Sequence, residues 1–242
     1  MLYTNLPTGG GGVITIQGQN FGEWCAHIIL IIRKGETSYG CTCQQVNHAE
    51  IEATLPEAAG AGYLVEVTVG DSIMAPSLAI IDFNLPQISE VIPTSGSTIG
   101  GTVLTIRGAE FGPETSIVSV QVGDGGLAIS CDVLSHNGTM ITCSTNAGLA
   151  SGLPVFVTVE AQTNPLSPHI FDFNAPVLYG VKLEPGQTWE TIGGFMVQIE
   201  GENLHPSTIV YFNDTAVPVI AFDATSHEVR VLLLWWMIKK FY

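Results

Sequence analysis

The sequence is short of positive charge: 7 Lys+Arg stand against 22 Asp+Glu in 242 residues, a formal net charge of -15. A surface of that sign repels phosphate, and no basic patch is interleaved with aromatic residues, so no nucleic-acid partner is expected and anionic membrane surfaces are disfavoured. Long hydrophobic runs are missing too. Val231–Ile238 is apolar and is followed by Lys239 and Lys240, like the edge of a membrane anchor, yet crossing a bilayer needs about 20 apolar residues. The N-terminal Met1-Leu-Tyr-Thr-Asn-Leu-Pro7 has neither the basic segment nor the apolar stretch of a secretory signal. Membrane attachment is therefore expected only through an anchor in a longer parent chain.

Catalytic patterns are absent as well. There is no Gly-x-Ser-x-Gly elbow, no His-Glu-x-x-His, no Walker-type glycine-lysine loop and no Asp-rich calcium loop, and the 6 His stand at no ligand spacing. Gly123-Asp-Gly-Gly-Leu-Ala128 fits a dinucleotide fingerprint on paper, but it lies between two strand patterns with no helix to receive a phosphate, so it reads as a hairpin turn. Cys41-x-Cys43 with His48 offers a metal too few converging ligands. The expectation is a protein that is not an enzyme, with no catalytic residue, no cofactor and no metal.

What is present is turn chemistry and hydrophobicity. With 46% hydrophobic residues, 27 Gly and 13 Pro, the chain is too apolar for disorder and too rich in turn formers for a helical bundle. Several small β-domains are the natural reading. The sequence also repeats. Thr98-Ile-Gly-Gly-Thr-Val-Leu-Thr-Ile-Arg-Gly-Ala-Glu-Phe-Gly112 has an earlier copy in Gly12-Val-Ile-Thr-Ile-Gln-Gly-Gln-Asn-Phe-Gly22 and a later one in Gly193-Gly-Phe-Met-Val-Gln-Ile-Glu-Gly-Glu-Asn-Leu-His205. Gly108 and Gly18, Phe111 and Phe21, Cys131 and Cys41, Ile141 and Ile51, and Asn174 and Asn84 all stand 90 positions apart, without a gap from Val13 to Pro86. A period of this length means tandem copies of one domain. Three units follow, 1–85, 86–175 and 176–242, the last incomplete, joined by linkers short enough to stack the units as a semi-rigid rod.

In unit two the strand patterns are Ile88–Ile92, Thr102–Arg107, Ile117–Val122, Leu127–Val133, Met140–Ser144, Val155–Glu160 and Ile170–Phe173. Short, evenly spaced runs between Gly, Pro, Asn and Ser clusters read as a β-sandwich. Alternation points Leu104 and Ile106, with Ile14 and Ile16, into the cores and Thr105 and Thr15 outward. Gly108 and Gly112 let Phe111 fold back over the sandwich end.

These residues carry a resemblance. Pro-x-Ile-x-x-Val-x-Pro, then Gly-Gly-Thr-x-Leu-Thr-Ile-x-Gly-x-x-Phe-Gly, then a Cys pair and a Pro-Val-x-Val-Thr-Val strand, resemble the IPT/TIG domain of plexins, the hepatocyte growth factor receptor, fibrocystin-like proteins and protist cell-surface proteins. The resemblance implies an all-β fold of tandem immunoglobulin-like (E-set) β-sandwiches, usually extracellular, and no shared catalytic residue. It also implies that Cys131 and Cys143 form the family's in-domain disulfide; two buried free thiols are the alternative. A bridge of that loop size contributes about 3 kcal/mol in the chain-entropy picture. Unit one keeps Cys41 but has Ala53 where its partner belongs, so one of Cys25 and Cys43 is expected to pair with Cys41 and leave an odd thiol. Two glycosylation sequons, at Asn137 and Asn213, fall in predicted turns, Asn137 within the loop Ser135–Thr139.

Equivalent strands differ in an informative way. Unit two reads Ile117-Val-Ser-Val-Gln-Val122, with valines inward and Ser119 and Gln121 outward; unit one reads His27-Ile-Ile-Leu-Ile-Ile32, which leaves Ile29 and Ile31 on the outer face. An apolar outward stripe is usually covered by something. His27, Ile29 and Ile31 are therefore a candidate contact face for a protein partner, a neighbouring unit or a second copy of the chain; a loop of the same unit is the alternative cover. In unit three only eleven residues follow Val231, which leaves a shortened chain, a misread gene or a substitute strand from Leu232–Ile238. A piece of a larger cell-surface or secreted protein accounts for both ends.

The functional expectation is an adhesion or receptor-ectodomain segment that binds protein or itself. A carbohydrate-binding accessory module of a secreted enzyme is the alternative, with Trp24 and Trp189 as its candidate platforms, and a mechanical spacer is a third.

Overall fold

The computed structural model describes residues 2–73, 80–165, 168–188, 194–212, 214–223 and 228–233. In unit one the strands are β1 (Leu2–Leu6), β2 (Val13–Gln17), β3 (Ile28–Lys34), β4 (Thr37–Asn47), β5 (Glu50–Thr54), β6 (Tyr63–Val69), β7 (Ser72–Ile73) and β8 (Ile80–Phe83). They run in the order β1-β8-β6-β3-β4-β5-β2, with β7 beside β6. The long β4 turns this path into two layers. Its first part, Thr37 to Cys41, pairs with β3, and from Thr42 onward it pairs with β5, with a bulge between Cys43 and Gln45. A bulge bends and twists its strand, so one strand serves both sheets.

Unit two repeats the arrangement with β9 (Gln87–Ile92), β10 (Ser95–Gly96), β11 (Val103–Ala109), β12 (Val118–Val122), β13 (Ile129–Asn137), β14 (Met140–Thr145), β15 (Leu153–Val159), β16 (Gln162–Thr163) and β17 (Ile170–Phe173). The order is β10-β17-β15-β12-β13-β14-β11-β9, and β13 takes the role of β4, with its bulge between Val133 and Ser135. Two sequence expectations are corrected. Leu127 belongs to a single 3-10 turn, Gly125–Leu127, because Gly123 and Gly125 take positive φ and wind the connection too tightly for a strand. Ser135–Asn137 is strand, not loop, because β13 stays paired with β14 as far as Asn137 and Met140.

In unit three, β18 (Val177–Leu183), β19 (Phe195–Glu202), β20 (Val210–Phe212), β21 (Thr215–Val217), β22 (Val219–Asp223) and β23 (Glu228–Leu233) form a sheet β18-β19-β23-β22 and a hairpin β20-β21. That sheet repeats the order β9-β11-β14-β13. Leu232 and Leu233 extend β23; the remainder of the expected substitute strand lies outside the described residues.

Three separate clusters fill the interiors. Ile14, Leu30, Ile32, Ile51, Val65 and Ile81 are among the core of unit one; Leu104, Ile106, Val122, Ile141, Val157 and Phe171 are among that of unit two; Val197, Val229 and Val231 are among that of unit three. These are the inward positions of alternating strands, as the period of two requires. Phe21 and Phe111 are fully buried. The glycine three residues before each is obligatory: a Cβ on Gly18 or Gly108 would overlap the ring of its phenylalanine, and on Gly108 it would also strike the Gln87 carbonyl.

Units one and two share a packed joint. Glu110 takes φ +62 in a position filled by Asn20 and Asn203 in the other units. Its Oε2 accepts hydrogen bonds from the Thr8 backbone N–H (2.7 Å) and hydroxyl (2.8 Å), and its Oε1 accepts from Asn84 Nδ2 (2.9 Å). Ala59 of unit one belongs to the core cluster of unit two. At the second joint Thr98, as buried as Thr8, donates its hydroxyl to the Leu204 carbonyl at 3.4 Å. Thr8 and Thr98 are 90 positions apart, so the two joints use one residue type at one place in the repeat.

Candidate functional site

The outer face of the β1-β8-β6-β3-β4 layer in unit one carries the sequence-predicted contact residues. On β3, Leu30 and Ile32 are buried and Ile28 is partly buried, while Ile29 is 61% exposed and Ile31 is half-buried. His27 closes the short 3-10 turn Cys25–His27 and is exposed. Ile29 stands opposite Thr68 and Ile31 opposite Glu66. The next row crosses four strands: Arg33 faces Leu64, Leu64 faces Ile80, and Ile80 faces Leu2. Leu64, Ile80 and Leu2 are all exposed, so the apolar surface runs diagonally from Ile29 to Leu2. Arg33 Nε donates to Glu66 Oε1 at 3.0 Å, and this single ion pair interrupts the apolar surface. Trp24, beside the 3-10 turn, is 70% exposed. Trp189 and Asn213 lie outside the described residues.

The cysteines divide differently between the units. Cys131 and Cys143 are bridged, with Cα atoms 5.5 Å apart. In unit one Cys25 is bridged to Cys43 and Cys41 is free, which corrects the expectation that Cys41 would be paired. The 3-10 turn carries Cys25 to β4, 5.6 Å from Cys43 between Cα atoms. Cys41 keeps the inward position of Cys131, and Ala53, fully buried at the repeat position of Cys143, has no sulfur to offer. Burial pushes the Cys41 thiol up to about 11, against a smaller opposing effect of the Ile32 backbone. Burial, then Tyr39 and Glu160, likewise raises the Tyr63 phenol. Its hydroxyl donates to the Ala59 carbonyl at 2.8 Å. With Cys43 in a bridge and His48 beside Glu23 (3.7 Å), the Cys41-x-Cys43 pair and His48 form no ligand set. Among the described residues no group of three His, Cys, Asp or Glu is placed to hold a metal ion, and no helix is long and apolar enough to cross a membrane.

Asn137 is exposed at the end of the β13-β14 hairpin. Its Oδ1 accepts from the Thr139 N–H, the Thr139 hydroxyl and the Met140 N–H at 3.0, 3.2 and 2.9 Å. These bonds use the oxygen, so the amide nitrogen, the atom that carries a glycan, is not spent in holding the turn. The hairpin borders a cleft of about 630 Å³ between units one and two, lined in part by Thr8, Glu57, Glu110 and Glu114. Glu110 was missed by sequence reasoning. Its signal was a Glu in a motif slot where both other copies have Asn.

The comparisons with known proteins agree with this architecture. Residues 2–79 and 86–170 match the family described as IPT/TIG domain. Mouse fibrocystin-L is 32% identical over 161 residues, 63% of this chain and 4% of that protein. Human fibrocystin-L is 27% identical over 197 residues, 80% of this chain and again 4% of the relative. The chain thus spans about one twenty-fifth of the length of these relatives. The solved extracellular region of plexin A4 aligns with 96% of this chain and 20% of its own at 19% identity and a TM-score of 0.37. Repeat period, sandwich order, glycine-anchored phenylalanine and matched residues lead to one conclusion: the chain belongs to the IPT/TIG domain family.

Proposed function

We propose that this chain is a non-enzymatic, extracellular segment of a larger receptor- or adhesion-type protein, built of units 1–85, 86–175 and 176–242. It binds a protein partner or a second copy of itself through the outer face of unit one at His27, Ile29 and Ile31. The observation that carries this reading is Ile29, an isoleucine 61% exposed on a regular strand and continued across the sheet by Leu64, Ile80 and Leu2. Exposed apolar side chains grouped on one face in this way, here on both sides of the Arg33–Glu66 ion pair, mark a contact site on a folded domain. Two bridges in one chain support an oxidising compartment, and Asn137 is an accessible acceptor for a glycan.

Two measurements test it. The chain expressed through a secretory pathway is expected to show two disulfides, one free thiol and glycan on Asn137 by intact mass before and after reduction and glycosidase treatment. Sedimentation is then compared between wild type and Ile29→Ser/Ile31→Ser. Self-association or partner capture should fall at least tenfold. Unchanged association together with unchanged or better solubility overturns the contact face, and five free thiols without glycan remove the support for an extracellular site.

A further inference from the structure

We propose that the equivalent outer face of unit two is a binding groove for a neutral oligosaccharide, with Phe156 as its stacking platform and Ser119, Gln121, Ser130 and Thr158 as its hydrogen-bonding groups. This inference stands on unit two alone and does not depend on the contact face of unit one.

Strand pairing builds the groove. Gln121 on β12 stands between Phe156 on β15 and Ser130 on β13. One step along, Ser119 faces Thr158, which faces Thr163 on β16. These side chains share the outward face, because the alternate residues Val120, Val122, Val155 and Val157 are in the core. Together they line a groove of about 520 Å³, with Asp124 at the hairpin beside it. That volume falls within the roughly 300–1,000 Å³ of small-molecule sites.

The chemistry of the lining selects the ligand. Phe156 is on the wrong face to serve the core, whose inward places are already filled by Val155 and Val157, both fully buried. Unit one has the polar Glu66 in its place. Around the ring stand four hydroxyls and a carboxamide, and Asp124 is the one acidic residue of the lining. With a net charge of -15 on the chain, an anionic ligand is repelled, and the lining has no cation to offset that. A pyranose matches this set: one face of C–H groups lies on an aromatic ring while its rim of hydroxyls meets short neutral side chains.

The polar groups are also held in place before a ligand arrives. Gln121 Nε2 donates to the Gly123 carbonyl at 3.0 Å, which leaves Oε1 to accept. Asn146 Nδ2 donates to Ser130 Oγ at 2.6 Å, which leaves that hydroxyl to donate. The Thr158 and Thr163 hydroxyls are paired at 2.8 Å. Side chains fixed in this way lose little freedom on binding.

The experiment is affinity electrophoresis of the full chain through gels containing a soluble β-glucan, a mannan, a xyloglucan or heparin, followed by titration with oligosaccharides of whichever polymer retards it. At least one neutral polymer should retard the wild type. Phe156→Ala should weaken binding at least tenfold with an unchanged melting temperature, Gln121→Ala should weaken it several-fold, and Phe156→Trp should preserve it. Ile29→Ser/Ile31→Ser should bind as the wild type does. Should Phe156→Ala fail to fold, Gln121→Ala decides. No retardation by any neutral polymer, retardation by heparin alone, or wild-type binding by a folded Phe156→Ala or by Gln121→Ala would each overturn the proposal.

Discussion

Units one and two are the same fold at a spacing of 90 residues, yet their equivalent outer faces are chemically opposed. Where β3 presents Ile29 and Ile31, β12 presents Ser119 and Gln121; where β6 presents Glu66, β15 presents Phe156. The inward positions hardly change: Leu30 and Ile32 against Val120 and Val122, Val65 and Val67 against Val155 and Val157, all buried. The interior is held to apolar side chains by close packing, whereas an outward residue contributes little to the fold. The differences between copies therefore lie on the outer faces, apolar in unit one and polar in unit two, which are the faces the two proposals assign to binding.

The largest test of that comparison is on the shared interior. Phe21→Ala and Phe111→Ala should each cost about 3–5 kcal/mol, the usual loss for a buried phenylalanine, and each should lower hydrogen-exchange protection chiefly in its own unit. Equal loss in both units from either variant would mean that they fold as one body and that the comparison between copies is mistaken.

Exchanging the bridges sharpens the contrast. Ala53→Cys gives unit one the partner that Cys41 lacks, and the new bridge should add up to about 3 kcal/mol and abolish the free thiol. Cys143→Ala should cost unit two a similar amount. Thermal melts with and without reductant, together with thiol counting, read both effects.

Glu110→Asn makes the joint loop of unit two like those of units one and three. Asn accepts positive φ readily, so the loop keeps its shape while the contacts to Thr8 and Asn84 are lost. Coupling between the units should fall by about 1.5–3 kcal/mol, the range for hydrogen bonds to a charged group. Hydrogen exchange at the joint measures it, and unchanged protection there would show that apolar contacts such as Ala59 hold the joint alone.

The smallest effect is alkaline. The Cys41 thiol holds its proton more tightly in the folded state, about 11 against 9.0, so the folded chain binds more protons than the unfolded chain between those values. Stability is constant with respect to this group below about pH 9 and falls as pH rises through the window toward 11. Cys41→Ala should flatten that part of the curve in denaturation at pH 8 to 11. Unit two, whose cysteines are bridged, has no thiol to contribute.

Much of this architecture was legible in the chain. Alternation and glycine spacing identified β11, β12 and β15 and their inward residues, because these depend on neighbours two positions apart and on turns of a few residues. Ile29 was legible as outward for the same reason. The extent of β13 was not, since Ser, His and Asn at 135–137 read as a loop until β14 is beside them. The pairing of Cys25 was also hidden, because the 3-10 turn that delivers it to β4 has no periodic signal. Glu110 looked like an ordinary loop acid: its ligands, Thr8 and Asn84, lie 102 and 26 residues away.

The sequence by itself determined the repeat, the sandwich and the face on which each strand residue stands, since all three follow from local periodicity and steric rules. Only the tertiary structure decided which cysteine stays free, which acid clamps two units together, and that Phe156, Gln121 and Ser130 form one row from three strands. Those outcomes depend on which distant segments meet, and no local pattern records that.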